Sequence, residues 1–118
     1  MAIVLKEPQA PACVAALEAE DEILVSAGTV AEALIVSARR NVGVQMARLI
    51  DGLGCEIISV TPASARRIAE AYRRWGRGLN PAALNFGDCF AYEVAKERAC
   101  RLLHVGDDFT KTDIDGVL

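Results

Sequence analysis

Hydrophobic and polar positions change period several times along this chain, and each change marks an element. From Pro8 to Glu20, Val14, Leu17 and the alanines fall on one side and Glu18, Glu20 and Asp21 on the other, which predicts an amphipathic helix. Glu22 to Ser26 is a short apolar run with strand character. Thr29 then caps a helix reaching about Arg40, with Val30, Ala33, Leu34, Ser37 and Ala38 at helical spacing. Asn41-Val42-Gly43 breaks it, and Val44 to Leu53 forms another helix that Gly54 ends. Cys55 to Val60 is the clearest strand.

Thr61-Pro62 is a cap followed by proline at the first helical position, a strong start signal for a helix that lasts until Trp75. Gly76 to Pro81 reads as a glycine-rich, basic loop. Asn85 caps one more helix, Arg101 to Val105 reads as a buried strand, and Gly106-Asp107-Asp108-Phe109 is an acidic turn. Helices alternating with strands predict the α/β class with a parallel sheet. No repeat, linker or low-complexity stretch divides the 118 residues, so one domain spans 1–118.

Composition narrows the picture. Hydrophobic residues make up 53% and aromatic ones only 5%, which predicts an aliphatic, alanine-rich core. A net charge of −3 excludes a protein whose whole surface is a nucleic-acid footprint, while leaving room for a local basic patch. No stretch is long and apolar enough to span a bilayer. Cys13, Cys55, Cys89 and Cys100 lie far apart without a C-x-x-C pair, as reduced core thiols of a cytosolic protein do. With a single histidine they make no zinc site.

The candidate chemistry is carboxylate chemistry. Asp88 stands in the first turn of the helix that Asn85 caps, and Asp107 and Asp108 follow the strand before them. Loops at strand carboxyl ends and nearby helix starts line the ligand crevice of an open parallel sheet. Acids gathered there suit a hard divalent cation. Bland alternatives exist: Thr29-x-x-Glu32 and Asn85-x-x-Asp88 both have capping-box spacing, and Asp107-Asp108 can be a solvated turn. Arg66, Arg73 and Arg77 share one helix face and Arg67 and Arg74 another, either solvated or tracking phosphates, with Tyr72 or Trp75 as a stacking surface.

The run Leu84-Asn85-Phe86-Gly87-Asp88-Cys89-Phe90-Ala91-Tyr92, followed by Leu102-Leu103, Gly106-Asp107-Asp108-Phe109 and Thr112-Asp113-Ile114, resembles the PIN-domain ribonucleases. It is most similar to the VapC toxins of bacterial toxin–antitoxin pairs. The resemblance implies a PIN-like α/β/α sandwich around a central parallel sheet. It makes Glu32 the second acid of a metal cluster, Asp88 the third, and Asp107 or Asp108 the fourth. Asp113 fits the family pattern too, with a structural role favoured. It implies Mg²⁺ or Mn²⁺ as cofactor, an RNA substrate cut hydrolytically, a VapB-type antitoxin as partner, a homodimer and a cytoplasmic location. Arg73, Arg74 and Arg77 become candidate RNA contacts.

Such domains open with a strand ending in Asp, then a helix leading into a Glu-Pro pair. Glu7-Pro8 is present, and Ala2 to Leu5 reads as the end of that helix. The expectation is that the first strand and its Asp are missing, the start lying about ten residues late. The alternative is a catalytically impaired PIN-like scaffold that binds protein or RNA.

Overall fold

At Ser26 a strand passes directly into a helix, and this junction sets the geometry of the site. The computed structural model describes residues 1–103 and 108–116. Its elements are α1 (Ala10–Glu18), β1 (Leu24–Ser26), α2 (Ala27–Arg39), α3 (Gly43–Leu53), β2 (Glu56–Ile58), α4 (Pro62–Trp75), α5 (Phe86–Glu97) and a 3-10 turn at Asp108–Lys111. Strands β1 and β2 pair in parallel, with Leu24, Val25 and Ser26 opposite Glu56, Ile57 and Ile58. Each strand is three residues long, shorter than its apolar run, because only that part finds a partner backbone.

Ser26 is extended (φ −66°, ψ 141°), and its Oγ accepts a 3.2 Å hydrogen bond from the Gly28 amide, so α2 begins at Ala27. The expected cap at Thr29 is therefore wrong. Thr29 lies inside the first turn, and its hydroxyl is buried with no hydrogen-bond partner among the described residues. Helix α1 starts at Ala10 rather than Pro8 and buries only Cys13, so its ends are weakly specified by packing.

The helix stops follow backbone chemistry. Gly54 is left-handed (φ 60°) after α3. Asn41 (φ 61°) closes α2, with its own amide bonded to Ala38 O and that of Val42 to Ser37 O, the paired bonds of a Schellman cap. Lys6 (φ 55°) closes one helical turn over Met1–Leu5 in the same way, its amide reaching Ile3 O and that of Glu7 reaching Ala2 O. The expected helix end before Pro8 is thus a single capped turn.

Helix α4 starts on the predicted Thr61 cap, reinforced by a reciprocal bond from Ser64. Its apolar side packs on α5 in a cluster of Ile68, Ala71, Leu84, Cys89, Tyr92 and Phe109, with Trp75 and Phe90 against it. Aromatic residues are scarce in the chain, yet four of them meet here, so this part of the core is not the aliphatic one that composition predicts. Of the expected strand at Arg101–Val105, the described residues show a parallel bridge between Leu102 and Gly116; His104 and Val105 lie outside the described residues.

On the other side of α5 the molecule is open. A groove of about 600 Å³ runs beside β1, lined by Leu17, Leu24, Val25, Ala33, Val94 and Leu102 among others. Among the described residues only β2 pairs with β1, so the other edge of β1 faces this groove. Thr29 also lines it.

Candidate metal centre

Two of the predicted acids meet where α2 crosses the start of α5. Asn85 is extended (φ −83°, ψ 175°), and its side chain accepts from the Asp88 amide at 2.8 Å. Asp88 Oδ2 accepts from the Asn85 amide at 3.0 Å, completing a capping box. The bland reading of Asp88 is therefore correct as far as it goes: it is a cap. The bond also fixes the rotamer of the carboxylate, and the helix macrodipole favours the negative charge there.

Glu32 comes from the second turn of α2, free of the capping role that belongs to Ser26. Its carboxylate rests on the backbone of Gly87, where even one added Cβ would overlap both its oxygens. Gly87 is buried, and no side chain but hydrogen permits this approach. One turn earlier on α2, Gly28 makes the same accommodation for the Phe90 ring. The two glycines let α2 and α5 come close enough to place Glu32 beside Asp88.

Partial burial against Gly87, and secondarily the charge of Asp88, push the Glu32 carboxyl above its usual range. Burial together with the Asp88 charge raises the neighbouring Cys89 thiol to about 11, which makes it a packing residue and not a nucleophile. A crowded pair of carboxylates that repel one another suits a hard cation: Mg²⁺ is held by one or two carboxylates, with water and phosphate oxygens completing its shell.

A PIN domain family profile matches residues 1–115 of the chain. Ribonuclease VapC36 of Mycobacterium tuberculosis (strain ATCC 25618 / H37Rv) is 39% identical over 113 residues, covering 93% of this chain and 81% of that protein. Ribonuclease VapC42 of the same strain is 38% identical over 118 residues, covering 97% and 90%. Ribonuclease VapC30 is 35% identical over 117 residues, covering 97% and 89%. The chain belongs to the PIN domain family, in its VapC branch.

In this PIN domain the remaining expected acids divide. Asp107 and the side chain of Asp108 lie outside the described residues. Among the described residues no group of three or more His, Cys, Asp or Glu side chains converges to hold a metal. Asp113, by contrast, is tied into the packing between α4 and α5. Tyr92 Oη donates to its Oδ1 at 2.6 Å, Lys96 Nζ donates to its Oδ2 at 3.1 Å, and Trp75 Nε1 donates to Tyr92 Oη at 2.9 Å. Burial alone would raise the Asp113 carboxyl, but the bonds from Tyr92 and Lys96 outweigh it and hold it below the usual range.

The basic residues of α4 are also partly committed. Arg67 bridges buried Glu93 at 3.0 Å and Glu97 at 3.3 Å, and the Glu93 pair is one that spacing could not show because its members are 26 residues apart. Arg73 pairs with Glu70 one turn back. Arg74 stacks over Trp75, 4.6 Å from its ring centroid, and lies 3.8 Å from Asp113. Trp75 is thus occupied as a stacking surface. Tyr72 remains partly exposed.

Proposed function

We propose that this chain is a divalent-metal-dependent endoribonuclease, the toxin half of a VapBC-type pair acting in the cytoplasm. The observation that carries the reading is Glu32 seated on Gly87 beside Asp88, an arrangement whose like-charge repulsion a bound cation would relieve. When bound, Mg²⁺ or Mn²⁺ would polarise a phosphoryl oxygen and acidify a bound water. Asp88, oriented by its cap, and Glu32 are the groups that would hold the ion. Asp107 or Asp108 is proposed as the further acid.

The groove beside β1 supports the expected additional strand. An extended apolar segment laid there would cover the lining and pair with the groove-facing edge of β1. If that strand ended in an Asp, as the family resemblance implies, it would supply one more carboxylate to the Glu32–Asp88 end. An extended version of the chain with such a strand should cleave RNA in Mg²⁺ faster than the 118-residue form. Equal rates would make that strand dispensable. A VapB-type antitoxin and a second copy of the chain are the proposed protein partners, and Arg73 and Arg77 the first candidates for RNA phosphates.

Calorimetric titration with Mn²⁺ tests the centre directly. The parent should bind the ion and the Asp88→Asn variant should not. Unaltered Mn²⁺ binding by the variant would reduce Asp88 to a helix cap and leave the scaffold reading in its place.

A further inference from the structure

Phe86 is the first residue of α5 and is 70% exposed, the most exposed large hydrophobic side chain of the described residues. It stands one residue from Gly87, on which the Glu32 carboxylate rests, and two from Asp88. Its ring is not loose. It meets Phe90 edge to face, with centroids 5.0 Å apart and planes at 86°. Phe90 in turn is seated on Gly28, so the same two-glycine approach that places Glu32 also braces the Phe86 ring. Its chain neighbour Asn85 is exposed and polar, Gly87 is buried, and Asp88 is charged. Along the chain, therefore, the ring is flanked by polar or small residues and is braced from within α5 by Phe90.

We infer that Phe86 is a stacking platform for a nucleobase of single-stranded RNA next to the scissile phosphate. The inference rests on the ribonuclease reading above and adds how the substrate is held. Every nucleobase presents a π face, and an aromatic ring already fixed by a neighbour loses little freedom when a base lies on it. A negatively charged site gains from this. Two carboxylates repel the RNA backbone, so binding there has to draw on uncharged interactions as well as on the metal. A stacked base also sets the position of the adjoining phosphate relative to Glu32 and Asp88. The geometry predicts tolerance of base identity at this position, because stacking reads no hydrogen-bonding edge.

The test uses a fluorescein-labelled single-stranded RNA decamer of mixed sequence, the same decamer with abasic ribose throughout, and the parent chain beside Phe86→Ala, Phe86→Leu and Phe86→Trp. Thermal melting shows whether each variant is folded, which the exposure of the ring favours. Fluorescence anisotropy in Ca²⁺ reads binding, and cleavage in Mg²⁺ reads KM and kcat. Phe86→Ala and Phe86→Leu should each weaken binding of the base-bearing RNA roughly ten- to hundredfold, with the loss mainly in KM. Phe86→Trp should bind at least as well as the parent, and the abasic strand should bind parent and Phe86→Ala alike.

Parental affinity in Phe86→Ala overturns the inference while leaving the ribonuclease reading standing if the parent cleaves. Parental affinity in Phe86→Leu overturns it too, since an apolar side chain would then suffice. Loss of a protein partner from Phe86→Ala with RNA binding unchanged would overturn it by assigning the ring to that partner instead. A parent that neither binds nor cleaves the decamer overturns both readings together.

Discussion

Asp88, at the start of α5, faces Glu32, whereas Asp113, packed along the same helix, is met by Lys96, Tyr92 and Arg74. Partial burial and like charge raise Glu32. The bonds from Tyr92 and Lys96 lower Asp113 despite its burial cost. Carboxylates are thus used in opposite ways at two places along α5. At Asp113 the fold supplies two cations and a hydroxyl, so the acid contributes to stability and has little left to offer a ligand. At Asp88 and Glu32 two like charges are brought together, and a divalent cation would turn that repulsion into binding. Both ends carry acids that fit the family motif, and the groups around each acid set the proposed metal-holding end apart from the structural one.

The largest effect that would break this comparison is on metal. Asp88→Asn should abolish Mn²⁺ binding and lower Mg²⁺-dependent RNA cleavage by roughly 10²–10³, the scale of losing one aligned charge-stabilising group. Apo stability should change little, because relief of Glu32 is offset by a weaker interaction with the helix start. Asp113→Asn should leave Mn²⁺ affinity at the parental value, and loss of binding there would erase the distinction. Next in size is Gly87→Ala. Its methyl group would overlap the Glu32 carboxylate, so the acid must swing away or α2 and α5 must part. Metal affinity should fall about 10–100-fold, as for other supporting groups of metal sites, with a stability loss of about 1–3 kcal/mol on denaturant titration.

Asp113→Ala leaves the Tyr92 hydroxyl without its charged acceptor and should cost about 1.5–3 kcal/mol in the same measurement. Acid sharpens the contrast, since the two shifts have opposite signs. Asp113 binds its proton less readily folded than unfolded, so its stabilisation is present above about pH 4 and is lost as pH falls through its lowered value. Glu32 binds its proton more readily when folded, so its cost to the apo protein develops as pH rises past about 4.3 and is complete above its raised value. Melting temperatures should therefore show Glu32→Gln more stable than the parent at pH 7 and equal to it in acid. Asp113→Ala should be less stable at pH 7 and converge on the parent in acid. The smallest effect concerns RNA affinity. Arg73→Glu with Arg77→Glu should flatten the salt dependence by about one unit of slope for each phosphate no longer neutralised. An unchanged slope would mean that these arginines only face solvent.

What the sequence determined by itself is whatever spans a few residues. The Thr61-Pro62 start, the Gly54 stop, the break at Asn41 and the Asn85–Asp88 cap are all written within a helical turn, where backbone and side-chain bonding has few alternatives. The motif from Leu84 to Tyr92 identified the family for the same reason: its spacing is local. Tertiary structure decided the rest. Thr29 and Ser26 both offer a capping hydroxyl, and the pairing of β1 with β2 selected Ser26 by holding that residue extended. The bond from Tyr92 to Asp113 joins positions 21 apart, and the bond from Arg67 to Glu93 joins positions 26 apart, so no periodicity could reveal either. Gly87 reads in sequence as a permissive residue before an acid. Only the close crossing of α2 and α5 shows that its missing side chain is the space in which Glu32 reaches Asp88.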